Sequence, residues 1–152
     1  MSVQRQDLLS RSALGVFRLN GQFLGAAEEL ARPSGLTAAW WQVLGAVLGE
    51  PLPVSGIARA MGITRQSVQR IADLLVTKGL AEYRPNPAHR RAKLLAPTDE
   101  GRAAVSRIDP GHAAFADRLA DAFGEADLAE AVRALERLSK VLDQIAVPVT
   151  EP

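Results

Sequence analysis

The sequence predicts a mainly α-helical fold with one small β-wing, and three observations carry this prediction. Apolar residues recur at three- and four-residue steps through most of the 152 residues, which is the period of a helix. Clusters of glycine and proline interrupt this pattern where helices should end. Residues 81–84 and 93–96 have the character of short strands, and the loop between them contains Pro85 and Pro87, which exclude a helix there. We therefore expect helices on both sides of a single hairpin.

Threonines mark the starts of several predicted helices. The first helix runs from about residue 6 to 31 on its apolar periodicity, and the breaker cluster Arg32-Pro33-Ser34-Gly35 ends it. Thr37 then caps a second helix, and Thr98 caps another after the hairpin. The apolar face of the second helix consists of Leu36, Trp40, Val43, Leu44 and Val47.

A helix-turn-helix is predicted from the two short helices at 54–60 and 64–78. Gly62 occupies the turn position that needs a left-handed backbone, and Thr64 caps the second helix. Ala58 is the small residue where the two helices approach. The residues expected to be buried are Ile57, Met61, Val68 and Ile71, with Ile63 at the turn. A generic helical hairpin is the alternative, but it would not require these residue types at every constrained position.

The outward side of the second of these helices is suited to reading DNA. Arginine pairs with guanine, glutamine pairs with adenine, and hydroxyl groups hold phosphate. A solvated helix face is the alternative interpretation, but residues 64–72 contain no acid. We predict DNA contacts from Thr64, Arg65, Gln66, Ser67, Gln69 and Arg70.

The hairpin that follows is basic, since residues 84–93 contain no carboxylate. A charge run of this kind is usually a solvated surface. Directly after a helix-turn-helix, however, it would lie along the DNA backbone or place an arginine in the minor groove. The wing residues predicted to contact DNA are Arg84, His89, Arg90, Arg91 and Lys93.

The net charge of +1 conceals a strong division along the chain. Residues 64–93 hold seven Lys and Arg against two Asp and Glu, whereas residues 94–152 hold six against eleven. The basic segment fits a polyanion-binding surface, and the acidic segment limits indiscriminate binding.

The C-terminal part of the chain is predicted to be helical and to support dimerisation. Asp109-Pro110-Gly111 should kink or interrupt a helix. The last helix, from residue 125 to about 146, has apolar residues at alternating steps of three and four, as in a coiled coil. We expect it to pack with the other terminal helix, within the chain and across a dimer. Residues 1–35 and 98–152 then form a helical dimerisation region, and residues 36–97 form the winged helix-turn-helix domain.

Composition narrows the possible functions. The chain has no cysteine, which excludes disulfides, thiolate metal sites and thiol redox switches. No run approaches the ~20 apolar residues of a membrane span, and residues 1–7 do not look like a signal peptide, so a cytoplasmic protein is expected. Asp109 and His112 are too few ligands for a metal site. No phosphate loop, dinucleotide fingerprint or nucleophile elbow is present, so we expect neither a cofactor nor an enzyme.

Five short motifs lie between residues 36 and 102, and together they are specific, although each alone is weak. They are Leu36-Thr37-Ala38-Ala39-Trp40, Ile57-Ala58-Arg59-Ala60-Met61-Gly62-Ile63-Thr64, Lys78-Gly79-Leu80-Ala81, His89-Arg90-Arg91-Ala92-Lys93-Leu94 and Thr98-Asp99-Glu100-Gly101. Over these residues the chain resembles the MarR family of bacterial winged-helix regulators, and the flanking helices fall where that family has its dimerisation helices.

The resemblance implies a homodimer on a pseudo-palindromic DNA operator, usually a repressor, whose DNA binding is relieved by a small ligand. Arg91 matches the wing arginine that family members insert into the minor groove. One departure is His89, because the family commonly has an acidic residue at this position that would help to orient the arginine. Without that acid, Arg91 is less fixed, or His89 itself touches DNA and makes binding pH-sensitive.

The family also implies an aromatic or phenolic effector bound between the dimer helices and the winged domain. Phe17, Trp40 and Trp41 are candidates for such a site, although core packing is the stronger interpretation of the two tryptophans. A winged-helix module that binds a protein, and not DNA, is the alternative function. The acid-free basic wing favours DNA.

Overall fold

The computed structural model describes residues 2–148, and the chain divides into two compact units, Met1–Pro110 and Gly111–Pro152. The structure confirms the mainly α fold with a small sheet. The helices are α1 (Ser2–Ala31), α2 (Ala38–Val47), α3 (Val54–Met61), α4 (Arg65–Thr77), α5 (Asp99–Ser106), α6 (Asp109–Phe123) and α7 (Glu125–Gln144), with a short 3-10 turn at Arg32–Ser34. The strands are β1 (Leu52–Pro53), β2 (Ala81–Arg84) and β3 (Leu94–Pro97).

The helix starts follow the predicted caps. The side-chain oxygens of Thr37, Thr64 and Thr98 each accept a hydrogen bond from the backbone N–H three residues later. Each bond satisfies a donor that has no partner inside its helix. Gly62 and Gly79 end α3 and α4 with φ of 67° and 74°, the left-handed conformation that glycine adopts without strain.

The core of the first unit lies between α2, α3, α4, α5 and the sheet. Its largest fully buried side chains include Leu44, Ile57, Leu75, Leu95 and Ile108. Val43 and Val47 are also fully buried, which confirms the predicted inner face of α2, whereas Trp40 is half-buried against the same core. This packing sets the angle between α3 and α4 and holds the sheet beside them.

The sheet is antiparallel with the strand order β1-β3-β2. The β2–β3 hairpin was predicted, and β3 begins one residue later than expected. The register pairs Ala81 with Pro97 and Arg84 with Leu94, so the basic loop projects from the end of the hairpin. β1 was not predicted, because it is two residues long and one of them is a proline, so it carries no periodic signal. Its pairing with β3 depends on the folded chain.

Two burial predictions and two helix ends differ between the sequence analysis and the structure. Ile63 was predicted to be buried, but it is 39% exposed, because it lies in the turn between α3 and α4, outside both helices. Met61 is only partly buried. The first helix begins at Ser2, four residues before the prediction, and the last ends at Gln144. The predicted interruption at residue 109 is confirmed, since α5 ends at Ser106 and α6 starts at Asp109.

Within residues 2–148, no helix has the length and apolar character needed to cross a membrane.

Candidate nucleic-acid interface

The N-terminal half of α4 presents one polar and one apolar face. Val68, Ile71 and Ala72 are buried against the core. The outward side carries the predicted reading residues Arg65, Gln66, Gln69 and Arg70, all of which are exposed. Ser67 is half-buried, its backbone N–H donates to Thr64 Oγ1, and its hydroxyl accepts a hydrogen bond from the Thr64 hydroxyl. The hydroxyl groups of Thr64 and Ser67, which were predicted to contact DNA, are thus already engaged in the cap of α4.

The wing loop begins with a turn around Asn86. Its side-chain oxygen accepts a hydrogen bond from the N–H of Ala88 at 3.0 Å, and its backbone oxygen accepts one from the N–H of His89 at 3.2 Å. A side chain that bonds to a backbone N–H two residues ahead is a common way to hold a turn. The basic residues that follow this turn, and are exposed, are Arg90, Arg91 and Lys93.

The helix α4 and the wing loop meet in one groove of about 450 Å³. Arg65 and Gln69 line it from α4, Arg91 and Lys93 line it from the wing, and Ser55 borders it at the start of α3. The fold therefore brings together residues more than twenty positions apart in the chain. We name this site the reading groove.

The remaining predicted contacts lie outside the reading groove. Arg84 and Arg90 line a neighbouring groove of about 440 Å³, and Lys93 borders both. Gln66, Arg70 and His89 are exposed but line neither groove.

Ion pairing separates the arginines into two groups. Arg84 binds Glu82 through Nε at 2.9 Å and through its terminal nitrogen at 2.8 Å, so its charge is partly compensated. The other ion pairs in the described part of the chain, Arg11–Asp7 and Arg32–Glu29, lie elsewhere. Arg65 and Arg91 therefore keep their full charge for an external anion.

Tyr83 is a site residue that sequence reasoning missed. It lies in β2 and borders the reading groove, and its hydroxyl donates a hydrogen bond to Asp73 Oδ1 on α4. Gln69 Nε2 donates to the Tyr83 hydroxyl at 2.9 Å and to Asp73 Oδ1 at 3.0 Å. Burial and the neighbouring Asp73 carboxylate raise the pKa of Tyr83 to about 12. The spacing of Gln69 and Asp73 on one helix face was a visible signal, whereas the contribution of β2 was not.

The candidate effector residues are not gathered in any groove described above. Phe17 is 70% exposed on α1. Trp40 and Trp41 are half-buried and pack against the core of the first unit, in line with the structural interpretation. In residues 2–148, no three His, Asp or Glu side chains are grouped so that they could hold a metal ion.

Comparison with known proteins decides the family. Residues 34–92, which span α2 to the end of the wing loop, match the model of the MarR family. The chain belongs to the MarR family. As a MarR-family protein with this winged helix, it is a DNA-binding transcription regulator.

Individual relatives and solved structures are similar to this chain over most of its length. An uncharacterized protein of Mycobacterium tuberculosis is 40% identical over 132 residues, which are 87% of this chain and 92% of the relative. The transcriptional repressor CouR, solved with a 23-mer DNA duplex, is 26% identical with a TM-score of 0.72, covering 82% of this chain and 89% of CouR. BpsR of Bordetella bronchiseptica, whose DNA binding is regulated by 6-hydroxynicotinic acid, shares the fold at 22% identity with a TM-score of 0.73, covering 85% and 98% of the two chains.

Proposed function

We propose that this MarR-family protein is a repressor that binds a pseudo-palindromic operator as a homodimer. In this proposal α4 enters the major groove and Arg91 of the wing reaches the adjacent minor groove. The observation that carries the proposal is the reading groove, where Arg65 and Gln69 of α4 meet Arg91 and Lys93 of the wing. Among the described residues, neither Arg65 nor Arg91 takes part in an ion pair. The DNA-bound state of CouR supports the choice of duplex DNA.

The apolar surface of the terminal helices supports a dimer. In α1, only Ala31 is buried, and large apolar side chains such as Leu9, Leu14 and Phe17 are 65–70% exposed. In α7, Leu135, Leu138 and Leu142 of the coiled-coil-like pattern are also exposed, at 44%, 38% and 55%. Exposed apolar surface on this scale is typical of a protein–protein interface. A second copy of the chain is the occupant that a two-fold operator requires.

A small aromatic or phenolic acid is the proposed effector. The support comes from BpsR, which shares the fold and is regulated by 6-hydroxynicotinic acid. In this chain the aromatic side chains that such a ligand could stack on are Phe17 of α1 and Trp40 and Trp41 of α2. A ligand that binds the free dimer more tightly than the DNA-bound dimer would relieve repression.

DNA binding is tested by selecting sites from genomic fragments and measuring affinity for the selected duplex over a range of salt concentrations. A true DNA complex should weaken linearly on a log–log plot, with a slope of about −0.9 for each phosphate neutralised. A shuffled duplex should bind more weakly but with a similar dependence on salt, because phosphate contacts carry no sequence information. A matched control is Lys140→Ala, which removes a positive charge on α7 and should leave the slope unchanged.

The alternative function, a winged helix that binds a protein, predicts a different result. Affinity for duplex DNA would then be weak and equal for selected and shuffled sequences. That outcome would contradict the proposal.

A further inference from the structure

The side chains of Gln69, Asp73 and Tyr83 are joined by hydrogen bonds at the edge of the reading groove. Gln69 Nε2 donates to Asp73 Oδ1 at 3.0 Å and to the Tyr83 hydroxyl at 2.9 Å, and that hydroxyl donates to the same Asp73 oxygen. Gln69 and Asp73 lie on α4, whereas Tyr83 lies on β2. A predicted base-reading side chain is therefore attached both to its own helix and to the sheet.

Asp73 has no evident part in binding the DNA backbone. It is the only acidic residue among residues 64–81 and lies one helical turn after Gln69. Its carboxylate takes part in no ion pair with the residues that the structure describes. Because a negative charge beside a DNA-binding surface repels phosphate, DNA affinity does not explain an acid here. Its contacts are the two hydrogen bonds that it accepts from Gln69 and Tyr83.

These two partners determine which end of the Gln69 amide faces them. The Asp73 carboxylate can only accept hydrogen bonds, and the single proton of the Tyr83 hydroxyl is donated to it. Burial and the carboxylate raise the pKa of Tyr83 to about 12, so the hydroxyl keeps this proton at neutral pH. Both groups therefore present acceptors to Gln69, and an inverted amide would place its carbonyl oxygen against them. The nitrogen end of the amide is thus held in place.

The held amide still has groups available for a base. Seen from Gln69 Nε2, the two acceptors lie about 50° apart, because the Tyr83 hydroxyl and Asp73 Oδ1 are themselves 2.5 Å apart. The two N–H bonds of an amide diverge by about 120°, so the acceptors share one of them. The second N–H and the carbonyl oxygen have no partner among the described residues. Gln69 therefore keeps one donor and one acceptor, the two kinds of group with which glutamine reads a base.

We propose that Tyr83 and Asp73 are positioning residues, which fix the amide of Gln69 and thereby set base discrimination at the operator position that Gln69 reads. In this role neither residue contacts the base itself. An exposed glutamine without such partners samples several rotamers and both orientations of its amide, so ordering it during binding costs free energy. Holding it beforehand removes that cost and excludes the inverted amide, which would favour a different base. This inference rests on the proposed function and adds residues that determine its specificity.

The test measures affinity for the selected operator with each of the four bases placed in turn at one position of the half-site. That position is identified as the one at which Gln69→Ala loses discrimination between bases. The parent should bind its best base at least about fivefold more tightly than its worst, the lower end for a base contact. Tyr83→Phe removes the hydroxyl and keeps the ring that packs against the core. It should reduce this base ratio by about twofold or more, the lower end for immobilising one side chain.

A double variant separates positioning from direct contact with DNA. If Tyr83 acts through Gln69, Tyr83→Phe should cause no further change of the base ratio in the Gln69→Ala protein. The salt slope and the base ratios at other positions should stay as in the parent, because phosphate contacts and the other reading residues are unchanged. Thr77→Val is the matched control. The Thr77 hydroxyl bonds to the backbone oxygen of Asp73 at 3.0 Å and not to its carboxylate, so its loss should leave the base ratio unchanged.

Asp73→Asn is a second variant, which serves if Tyr83→Phe is poorly folded. An asparagine amide can both donate and accept, so it no longer selects one orientation of the Gln69 amide. The base ratio should again fall. The lost negative charge does not disturb this measurement, because it changes the affinity for all four duplexes alike.

The outcomes separate this inference from the proposed function. If Tyr83→Phe and Asp73→Asn both keep the parent base ratio, the inference is wrong. It is also wrong if the effects of Tyr83→Phe and Gln69→Ala add, because Tyr83 then acts independently of Gln69. If Gln69→Ala matches the parent at every position, the inference fails while DNA binding stands. If the parent shows no selective binding to duplex DNA, both fail together.

Discussion

The carboxylate of Glu28 accepts a hydrogen bond from the backbone N–H of Ala38 at 2.9 Å. Glu28 lies near the end of α1, and Ala38 is the first residue of α2, so the bond joins the terminal helix to the winged domain. The N–H groups in the first turn of a helix have no partner within it, and the helix dipole favours a negative charge there. Glu28 thus works as a second cap for α2, in addition to Thr37.

Replacing Glu28 should loosen this connection. We expect Glu28→Ala to lower the free energy of unfolding by about 1 kcal/mol, the usual effect of losing a helix cap. Glu28→Gln should lose less, because its amide oxygen still accepts. The neighbouring Glu29→Ala is the control, since Glu29 pairs only with exposed Arg32 and such pairs contribute little. Urea unfolding at fixed protein concentration measures all three, and equal effects of the two alanine variants would contradict the assignment.

Gly101 should not tolerate a side chain. A Cβ at this position would lie 1.9 Å from the backbone oxygen of Leu80, which cannot move without disturbing the hairpin. We expect Gly101→Ala to destabilise the protein by at least about 2 kcal/mol. Gly45→Ala is the matched control, because Gly45 lies within α2 with no atom within 4 Å of the added Cβ. Gly45→Ala should raise the free energy of unfolding by about 0.5–1 kcal/mol. Thermal unfolding measures both variants: a lower midpoint for Gly101→Ala and a higher midpoint for Gly45→Ala would verify the contact, and an unchanged midpoint for Gly101→Ala would contradict it.

Tyr83 provides a direct optical test of its hydrogen bond to Asp73, because it is the single tyrosine in the sequence. Its pKa is raised from 10.0 to about 12, chiefly by burial and then by Asp73. Tyrosinate absorbance should therefore appear near pH 12 in the folded protein and near pH 10 after unfolding, with circular dichroism followed in parallel. Asp73→Asn should move the folded midpoint down towards 10.

The raised pKa of Tyr83 also makes the free energy of unfolding depend on pH in the alkaline range. Because the folded protein holds the Tyr83 proton more tightly than the unfolded chain, this contribution is fully present below pH 10. It is lost as the pH rises through 12. A folded midpoint near 10 in the parent would show that the hydroxyl is not held as described.

The two wing arginines Arg84 and Arg91 should differ in their importance for DNA binding. Arg91 lines the reading groove without an acidic partner, whereas Arg84 is paired with Glu82 at 2.8 Å. We expect Arg91→Ala to weaken operator binding and to reduce the magnitude of the salt slope by about 1. Arg84→Ala should have the smaller effect, because part of its charge is already compensated within the protein. The reverse order, measured on the selected operator, would contradict this division.

The exposed face of α1 should govern assembly. Leu14 and Phe17 lie one helical turn apart and are 66% and 70% exposed. Leu14→Ser/Phe17→Ser should weaken dimerisation by about tenfold or more, as expected for apolar anchors of an interface. Ile63→Ser is the control, because Ile63 is 39% exposed and lies in the turn between α3 and α4, outside α1. Sedimentation over a range of concentrations measures the effect, and an unchanged dimer in the double variant would exclude this face.

The sequence alone determined the features that depend on local interactions. The caps at Thr37, Thr64 and Thr98 and the left-handed turn at Gly62 follow from groups within a few residues of one another, so residue type and spacing were sufficient to predict them. The outward direction of the Arg65 side of α4 follows from helical period in the same way.

The tertiary structure decided what depends on contacts between distant segments. The pairing of Leu52 with Leu95, the exposure of Ile63 and the meeting of Arg65 with Arg91 in one groove are set by how the core packs. The hydrogen bonds among Gln69, Asp73 and Tyr83 are of this kind as well, since Tyr83 lies on β2 and the other two residues lie on α4. A hydrogen bond needs atoms placed to within a few tenths of an ångström, and only the complete packing of helices and sheet provides that precision.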